Sequence, residues 1–284
     1  VELGFPVFTS DADADSTVAF SLSGADAASF NVDESLSADG IAVIRFNTLT
    51  DFEIKTSYAV TVTADDGANT TDQALVFNVV DLNDEAPVFT SESDITIDEG
   101  ATEIVTLATT DADADSTVTY TLSGDDAESF DLSEAGILTL QTAANFEAKT
   151  SYAITITAND GVNTTVQAIT VSVNDLNDNA PVFADVNYDI SIVENTKGPT
   201  LLETTDADTN STVSYSLSGA DADDFEIVNN TLALKEAADF ETKSSYAVTV
   251  TASDGLNSTT QAVTYTITDA NDNAPVFTSN AAVS

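Results

Sequence analysis

The chain has 284 residues and a net charge of −43, with 49 acidic side chains against 6 basic ones and 42% hydrophobic residues. That surface repels nucleic acid and anionic membranes, while the apolar content excludes a disordered acidic tail and the length suits two or three cores better than one. Cys and His are both absent, which excludes disulfides, thiolate and imidazole metal sites, and every nucleophile–base pair that needs them.

In chain order, the first block is Asp11-Ala12-Asp13, and it returns at Asp111-Ala112-Asp113 and Asp206-Ala207-Asp208. A short alternating run follows each copy; in the second it is Val118, Tyr120 and Leu122. Next comes a stretch, 125–129 in the second copy, that is expected to form one helical turn before Phe130. The first copy alone then carries an insertion at 35–44, a loop-like set with Asp33, Glu34, Asp39 and Arg45 around it. Asp51-Phe52-Glu53 recurs as Asn145-Phe146-Glu147 and Asp239-Phe240-Glu241, a spacing of 94 residues. The strongest alternation comes after it: Tyr58, Val60 and Val62; Tyr152, Ile154, Ile156 and Ala158; Tyr246, Val248 and Val250. Thr and Ala stand between these positions, and Ile169, Val171 and Val173 repeat the pattern one strand later. A period of two with one apolar face describes half-buried antiparallel strands. Asp-Gly turns at 66–69, 160–163 and 254–257 join the two strongest strands as hairpins.

Each copy closes on Asp-x-Asn-Asp-x-Ala-Pro-Val-Phe, at Asp81 to Phe89, Asp175 to Phe183 and Asp269 to Phe277. Asp and Asn offer only oxygen to a cation, and oxygen at this density suits a hard ion, above all calcium. The proline donates no ladder hydrogen bond and holds the residue before it extended, so this stretch reads as a short straight connector between folded units. About seven short strands per period, parted by Ser, Asp and Gly clusters, imply a Greek-key β-sandwich. The fold class is all-β, with three tandem sandwiches in an elongated rod. The domains are expected at 1–85, 86–179 and 180–273, with 274–284 opening a following repeat. No apolar run reaches 18 residues and no basic and apolar leader stands at the start, so neither a membrane span nor a signal peptide is expected.

Other readings of the acidic blocks fit less well. An EF-hand loop wants Gly at its sixth position and Glu at its twelfth; here those places hold Ser16 and Leu22, Ser116 and Leu122, and Ser211 and Leu217. Solvated turns account for Asp but do not require Glu53, Glu147 and Glu241 in register. Paired carboxylates hydrolyse glycosides from one constellation, whereas three equal copies argue against an enzyme. The Asn-x-Ser/Thr matches at Asn69, Asn163 and Asn257 read better as chance in Thr-rich turns than as glycosylation acceptors.

Four motifs in the same order, three times over, resemble the cadherin repeat, and in particular the cadherin-like repeats of bacterial surface adhesins. The resemblance implies Ca²⁺ as cofactor, about three ions at each of two complete inter-repeat joints. At the first joint the ligands it implies are Asp51, Glu53, Asp81, the Leu82 carbonyl, Asn83, Asp84, Glu85, Asp111, Asp113 and Asp160, with Glu2 as the early base glutamate of the first repeat. At the second they are Glu99, Asn145, Glu147, Asp175, the Leu176 carbonyl, Asn177, Asp178, Asn179, Asp206, Asp208 and Asp254. Glu85 stands in place of an Asn and Asn145 in place of an Asp. After the Asp-x-Asp block the family's loop is shortened, which leaves open whether Asp115 and Asn210 lend a carbonyl. Two half-sites are left without a partner: Asp11, Asp13 and Asp66, and Glu194, Asp239, Glu241 and Asp272. The function implied is a calcium-binding extracellular adhesion or extender segment, with calcium-dependent self-association or glycan binding as the alternative. Its partners are neighbouring repeats, another cell surface or itself, without nucleic acid or membrane insertion, and its location is extracellular or at the cell surface of a bacterium.

Overall fold

A computed structural model describes residues 4–12, 17–35, 40–114, 116–185, 188–209 and 211–278; Glu2, Asp13, Asp39, Asp115 and Asn210 lie outside them. Among the described residues every regular element is a strand apart from three short 3-10 turns, Ala27–Ser29, Ala127–Ser129 and Ala222–Asp224. Each turn leads directly into a buried phenylalanine, Phe30, Phe130 or Phe225, as the helical turn at 125–129 anticipates.

The chain divides into two compact units, one of Val1–Ile95, Glu103–Gln141 and Ala153–Thr170, the other of Thr96–Thr102, Thr142–Tyr152 and Val171–Ser284. The middle sequence period contributes to both. In the first unit, Ala19–Ser23, Ser57–Asp65 and Thr70–Asn78 form one sheet, and Phe5–Phe8, Ile41–Phe46 and Phe30–Asp33 form another. The insertion at 35–44 runs into the middle strand of that second sheet, which is longer than its counterpart: Ile41–Phe46 has six residues, Ile137–Leu140 four. Between the sheets lies a core of Val7, Val18, Phe20, Phe30, Ala42, Ile44, Val60 and Val62.

In the second unit the larger sheet runs Tyr188–Val193, Ser258–Thr268, Ser245–Ser253, Ser214–Ser218. Its first strand is parallel to its neighbour, with Tyr188 opposite Val263 and Ile192 opposite Ile267. The smaller sheet holds Thr200–Leu201, Thr231–Leu234 and Phe225–Val228. The apolar face expected from the alternation is the buried one: Val248, Val250, Val263, Tyr265 and Ile267 lie in the core. Alternating strands bury one face only, so a one-residue slip would turn every Thr inward, and the register is fixed by that penalty.

Against the expected seven or so strands per period, the second and third periods each carry nine, because their opening segments are broken into pieces, and the first shows six among the described residues. In the middle period Val88–Phe89 pairs with Thr109–Thr110, Asp94–Asp98 borders Thr164–Asn174, and Glu103–Thr106 joins Ile137–Leu140. One extended segment thus serves three partners. It turns between sheets at Gly100, whose φ of +81° is open to glycine at little cost.

Each of the six basic side chains has a partner within its own repeat: Lys55 reaches Asp26, Lys243 reaches Asp221 at 2.7 Å, and Lys149 sits 4.9 Å over the Tyr152 ring. Arg45 bridges to Asp33, Lys197 donates to the Lys235 carbonyl, and Lys235 donates to the Asp223 carbonyl.

Leu232 has no exposed surface and Leu256 is 78% exposed. Leu232→Ala should cost about 2–5 kcal/mol through the cavity it leaves, and Leu256→Ala under about 0.5 kcal/mol. Urea unfolding of the two variants measures both.

Candidate metal centres

The hairpin turn 66–69 and its repeats show how the local sequence prepares an oxygen ligand. At the turn 160–163, Asp160 Oδ1 accepts from the backbone N–H of Val162 and of Asn163, both at 2.7 Å. Asp254 does the same with Leu256 and Asn257, again at 2.7 Å. One oxygen of each aspartate is spent on holding the turn. The other, Oδ2, is buried with no hydrogen-bond donor.

The Asp-x-Asp block divides its oxygens in the same way. Asp111 Oδ1 accepts from the Asp113 N–H at 3.1 Å, and Asp113 Oδ2 accepts from the Glu85 N–H at 3.0 Å. Asp111 Oδ2 and Asp113 Oδ1 are left buried without a donor. In the connector, Asp81 Oδ2 takes the Ala114 N–H at 3.0 Å and leaves Oδ1 free; Asp175 Oδ2 takes the Thr209 N–H at 2.7 Å and leaves its Oδ1. Of nine buried side-chain polar atoms without a partner among the described residues, seven belong to Asp81, Asp111, Asp113, Asp160, Asp175, Asp206 and Asp254. All seven residues are among the ligands implied by the resemblance.

Among the described residues, carboxylate oxygens converge in five groups, each within 4.8 Å: Glu53, Asp84 and Asp113; Asp111, Asp113 and Asp160; Glu99, Glu147 and Asp175; Asp206, Asp208 and Asp254; and Glu194, Asp239 and Glu241. Glu99 and Glu194 are almost fully buried and are locked from both sides. Glu99 accepts from the Leu176 N–H at 2.6 Å and the Phe146 N–H at 3.0 Å; Glu194 accepts from Ala270 at 2.6 Å and Phe240 at 2.9 Å. Backbone donors position these groups but leave their mutual repulsion in place. Burial pushes the Asp178 carboxyl up, and the charges of Glu99, Asp208 and Asp175 push it further. Glu53 is pulled down by its own backbone amide, yet burial and the charges of Asp81, Asp113 and Asp51 outweigh that and leave it raised. At Asp160 burial acts upward, but the Asn163 and Val162 N–H groups prevail and hold the carboxyl low.

The remaining implied ligands fall outside these groups. Asp51 Oδ1 accepts from the Ile54 N–H at 3.0 Å, and Asn145 Oδ1 from the Ala148 N–H at 2.7 Å, so both cap the same turn. Glu85 is exposed and contributes through its backbone. Asn179 donates its side-chain amide to Asp208 Oδ1 at 2.9 Å and to Asp178 Oδ1 at 2.8 Å. Two clamps are not evident from motif reading alone. Asn163 donates to Asn83 Oδ1 at 3.2 Å and to the Glu85 carbonyl at 2.8 Å, and Asn257 donates to Asn177 Oδ1 at 3.0 Å. These are two of the Asn-x-Ser/Thr asparagines. Their recurrence three residues after the turn aspartate was the available signal, and their engaged amides argue against a glycan there.

The donor set fits a hard divalent cation. It is all oxygen, anionic, and supplied from several segments held by backbone hydrogen bonds. A buried carboxylate oxygen without a donor carries a full desolvation cost that a bound cation removes.

Residues 188–268 match the Cadherin domain family. The chain is 38% identical to human Protocadherin Fat 1 over 181 residues, 59% of this chain, and 35% identical to mouse Protocadherin Fat 4 over 224 residues, 73% of it. It spans 4% of the length of each of those curated relatives. Among solved structures, the protocadherin GammaB4 extracellular domain superposes with a TM-score of 0.74 at 27% identity, over 97% of this chain and 48% of the other. Mouse Cadherin-23 EC22-24 shares the fold, with a TM-score of 0.68 at 21% identity over 95% and 94% of the two chains. These likenesses support an all-β array of tandem cadherin repeats.

The raised carboxyls favour a proton in the folded state, so metal-free stability should fall as pH rises from the ordinary carboxylate values of 3.8 and 4.5 through the raised ones. Asp160 and Asp254, held low, contribute stability that is lost only as pH falls below 3.8. In chelator, the melting temperature should therefore rise as pH is lowered through the raised carboxyl values towards 4.5, and calcium should abolish that trend. A flat profile in chelator would contradict this account.

Proposed function

We propose, with the cadherin-repeat likeness as premise, that this chain is a non-enzymatic extracellular adhesion segment in which calcium at the connectors stiffens a row of sandwiches into a rod. The observation that carries the reading is the set of seven buried carboxylate oxygens with no donor, all on connector, turn and Asp-x-Asp residues. On this reading Asp81, Asp84, Asp111, Asp113 and Asp160 hold ions at the first connector, with Glu53 from below. Glu99, Glu147, Asp175, Asp178, Asp206, Asp208 and Asp254 hold them at the second. Each joint takes about three ions, and the repeats meet at the connectors near 85, 179 and 273. When bound, calcium supplies the positive charge that lets these carboxylates sit together; the side chains themselves fix direction and spacing.

The alternative, a glycan-binding module, needs exposed aromatic platforms. None of the seven tyrosines is exposed, which favours the rod. The human and mouse relatives lend no support to the bacterial source implied by the adhesin resemblance, and the extracellular placement does not depend on it.

Calcium that binds only the folded chain should stabilise it by about 2.7 kcal/mol at one hundred times its Kd, read as a rise in melting temperature. Magnesium should do much less. A melting curve indifferent to millimolar calcium would refute the reading.

Asp178→Ala should lose about half of the calcium seen in a calorimetric titration, since one of two connectors is disabled and Asp84 still serves the other. The three cores contain no part of Asp178, so circular dichroism should be unchanged while proteolysis opens near residues 179–185. A full calcium count would remove the second connector from the assignment.

A further inference from the structure

A positive side chain beside a cation centre is unfavourable unless something offsets it. This chain has only six basic residues, and three of them recur at the period of 94: Lys55, Lys149 and Lys243, each two residues after the glutamate of an Asp/Asn-Phe-Glu turn. Those glutamates, Glu53, Glu147 and Glu241, are exposed members of three of the carboxylate groups, while the lysines are half-buried. An exposed glutamate on a short turn has no packing of its own to hold it near its partners. Its aim depends on how the turn is held.

The lysine holds that turn with both its backbone and its side chain. Lys55 N–H donates to the Asp51 carbonyl at 3.0 Å, and Lys149 and Lys243 N–H donate to the Asn145 and Asp239 carbonyls at 2.9 Å. Each ammonium then lies over the ring of the tyrosine near the start of the next strand: Tyr58 at 4.8 Å, Tyr152 at 4.9 Å and Tyr246 at 4.2 Å. Lys55 also donates to Asp26, and Lys243 donates to Asp221 at 2.7 Å and Asp224 at 3.1 Å. Asp26 and Asp221 stand just before a 3-10 turn, and they accept the Ala59 and Ala247 N–H at 2.8 Å. The lysine hydrogen bond, ahead of that backbone N–H, holds both carboxyls below their ordinary range. Aromatic contacts close the circuit. Tyr58 meets Phe30 edge-on at 6.0 Å and Tyr246 meets Phe225 at 6.1 Å, and these are the buried phenylalanines that the 3-10 turns lead into.

We propose that Lys55 and Lys149 are positioning residues for the cation sites: each ties the turn carrying Glu53 or Glu147 to the tyrosine of the following strand, so that the glutamate is aimed before an ion arrives. The inference rests on the function proposed above and adds to it residues that touch no ion. A carboxylate on a loose turn must be ordered when the ion binds, and that lost entropy is subtracted from the affinity. Here the turn is held at both ends before binding. At one end Asp51 Oδ1 or Asn145 Oδ1 accepts the N–H of Ile54 or Ala148; at the other the lysine anchors it. Two effects of the ammonium oppose each other, since its charge repels a cation while its anchorage orders the ligand. Solvent and salt screen the repulsion at an exposed turn, and at Lys55 the Asp26 carboxylate offsets the charge, so the anchorage prevails.

The test is calorimetric calcium titration of the full chain, paired with amide hydrogen exchange in chelator. Lys149→Met keeps the apolar stem and removes the charge. It should weaken calcium binding about two- to fivefold, the value of one exposed cation–π contact. Tyr152→Leu removes the ring and keeps the charge, and should weaken binding by a similar factor. Lys149→Arg, which preserves the stacking, should restore the affinity. Lys55→Met, which also loses the Asp26 pair, should weaken binding at least as much. In chelator the Ala148 amide should exchange about two- to fivefold faster in Lys149→Met, because the turn opens more often. Tighter calcium binding by Lys149→Met would make the ammonium a repelling charge and overturn the proposal. A lower melting temperature in chelator with unchanged calcium affinity would reduce the lysine to a support of the sandwich, and would overturn it as well. If the unaltered chain binds calcium and Lys149→Met binds it equally well, this inference alone fails; if the unaltered chain binds none, the function proposed above fails and this inference with it.

Discussion

Like charge gathered at fixed points governs this molecule. Aspartate and glutamate from separate segments come within 4.8 Å of one another, and no lysine or arginine is spare to neutralise them, since all six are engaged within their repeats. The chain holds that arrangement through the division of each carboxylate. One oxygen is tied to a backbone N–H of a turn or connector, which fixes the side chain's direction, and the other is left in a buried position without a donor. Turn aspartates commonly bond their own backbone two residues on. Here that ordinary device also aims the second oxygen at a common centre.

The sandwiches are built from a separate part of the sequence. The apolar positions of the hairpin strands bury almost completely, at Ile154, Ile156, Val248 and Val250, and none of them belongs to an acidic block. Cores and charged clusters meet only through shared backbone. The hairpin ends in the turn aspartate, the last strand runs into the connector, and the buried glutamate follows the parallel strand. Glu99 and Glu194 show the coupling best, because their carboxylates accept from the connector and from the Phe146 or Phe240 turn together. The fold therefore sets how far apart the charges stand, and the charges act on how firmly the connectors are held.

Departures from strict repetition sit where the environment changes. Asn179 replaces Glu85 and donates its amide to Asp208, whereas Glu85 leaves Asp113 Oδ1 without a donor. Asn145 replaces Asp51 yet caps the same turn, since either side chain supplies the accepting oxygen. Val76, exposed on the strand Thr70–Asn78, stands where the other copies have Thr170 and Thr264.

The period of 94 residues, the all-β class, the inward and outward face of each long strand, and the acidic residues that the fold gathers into groups were legible in the chain order. These are local properties: alternation follows from the two-residue repeat of a strand, and turn and connector chemistry from Asp, Asn, Gly and Pro at set offsets. Which carboxylate oxygens stay free depends on which N–H of a distant segment lies within reach in the fold; Asp81 meets Ala114 and Asp175 meets Thr209. Tertiary pairing also set the breaking of the opening strand among three partners at Gly100 and the clamping of connectors by Asn163 and Asn257. Each of these is a pairing between segments far apart in the chain, and a linear pattern carries no distance between them.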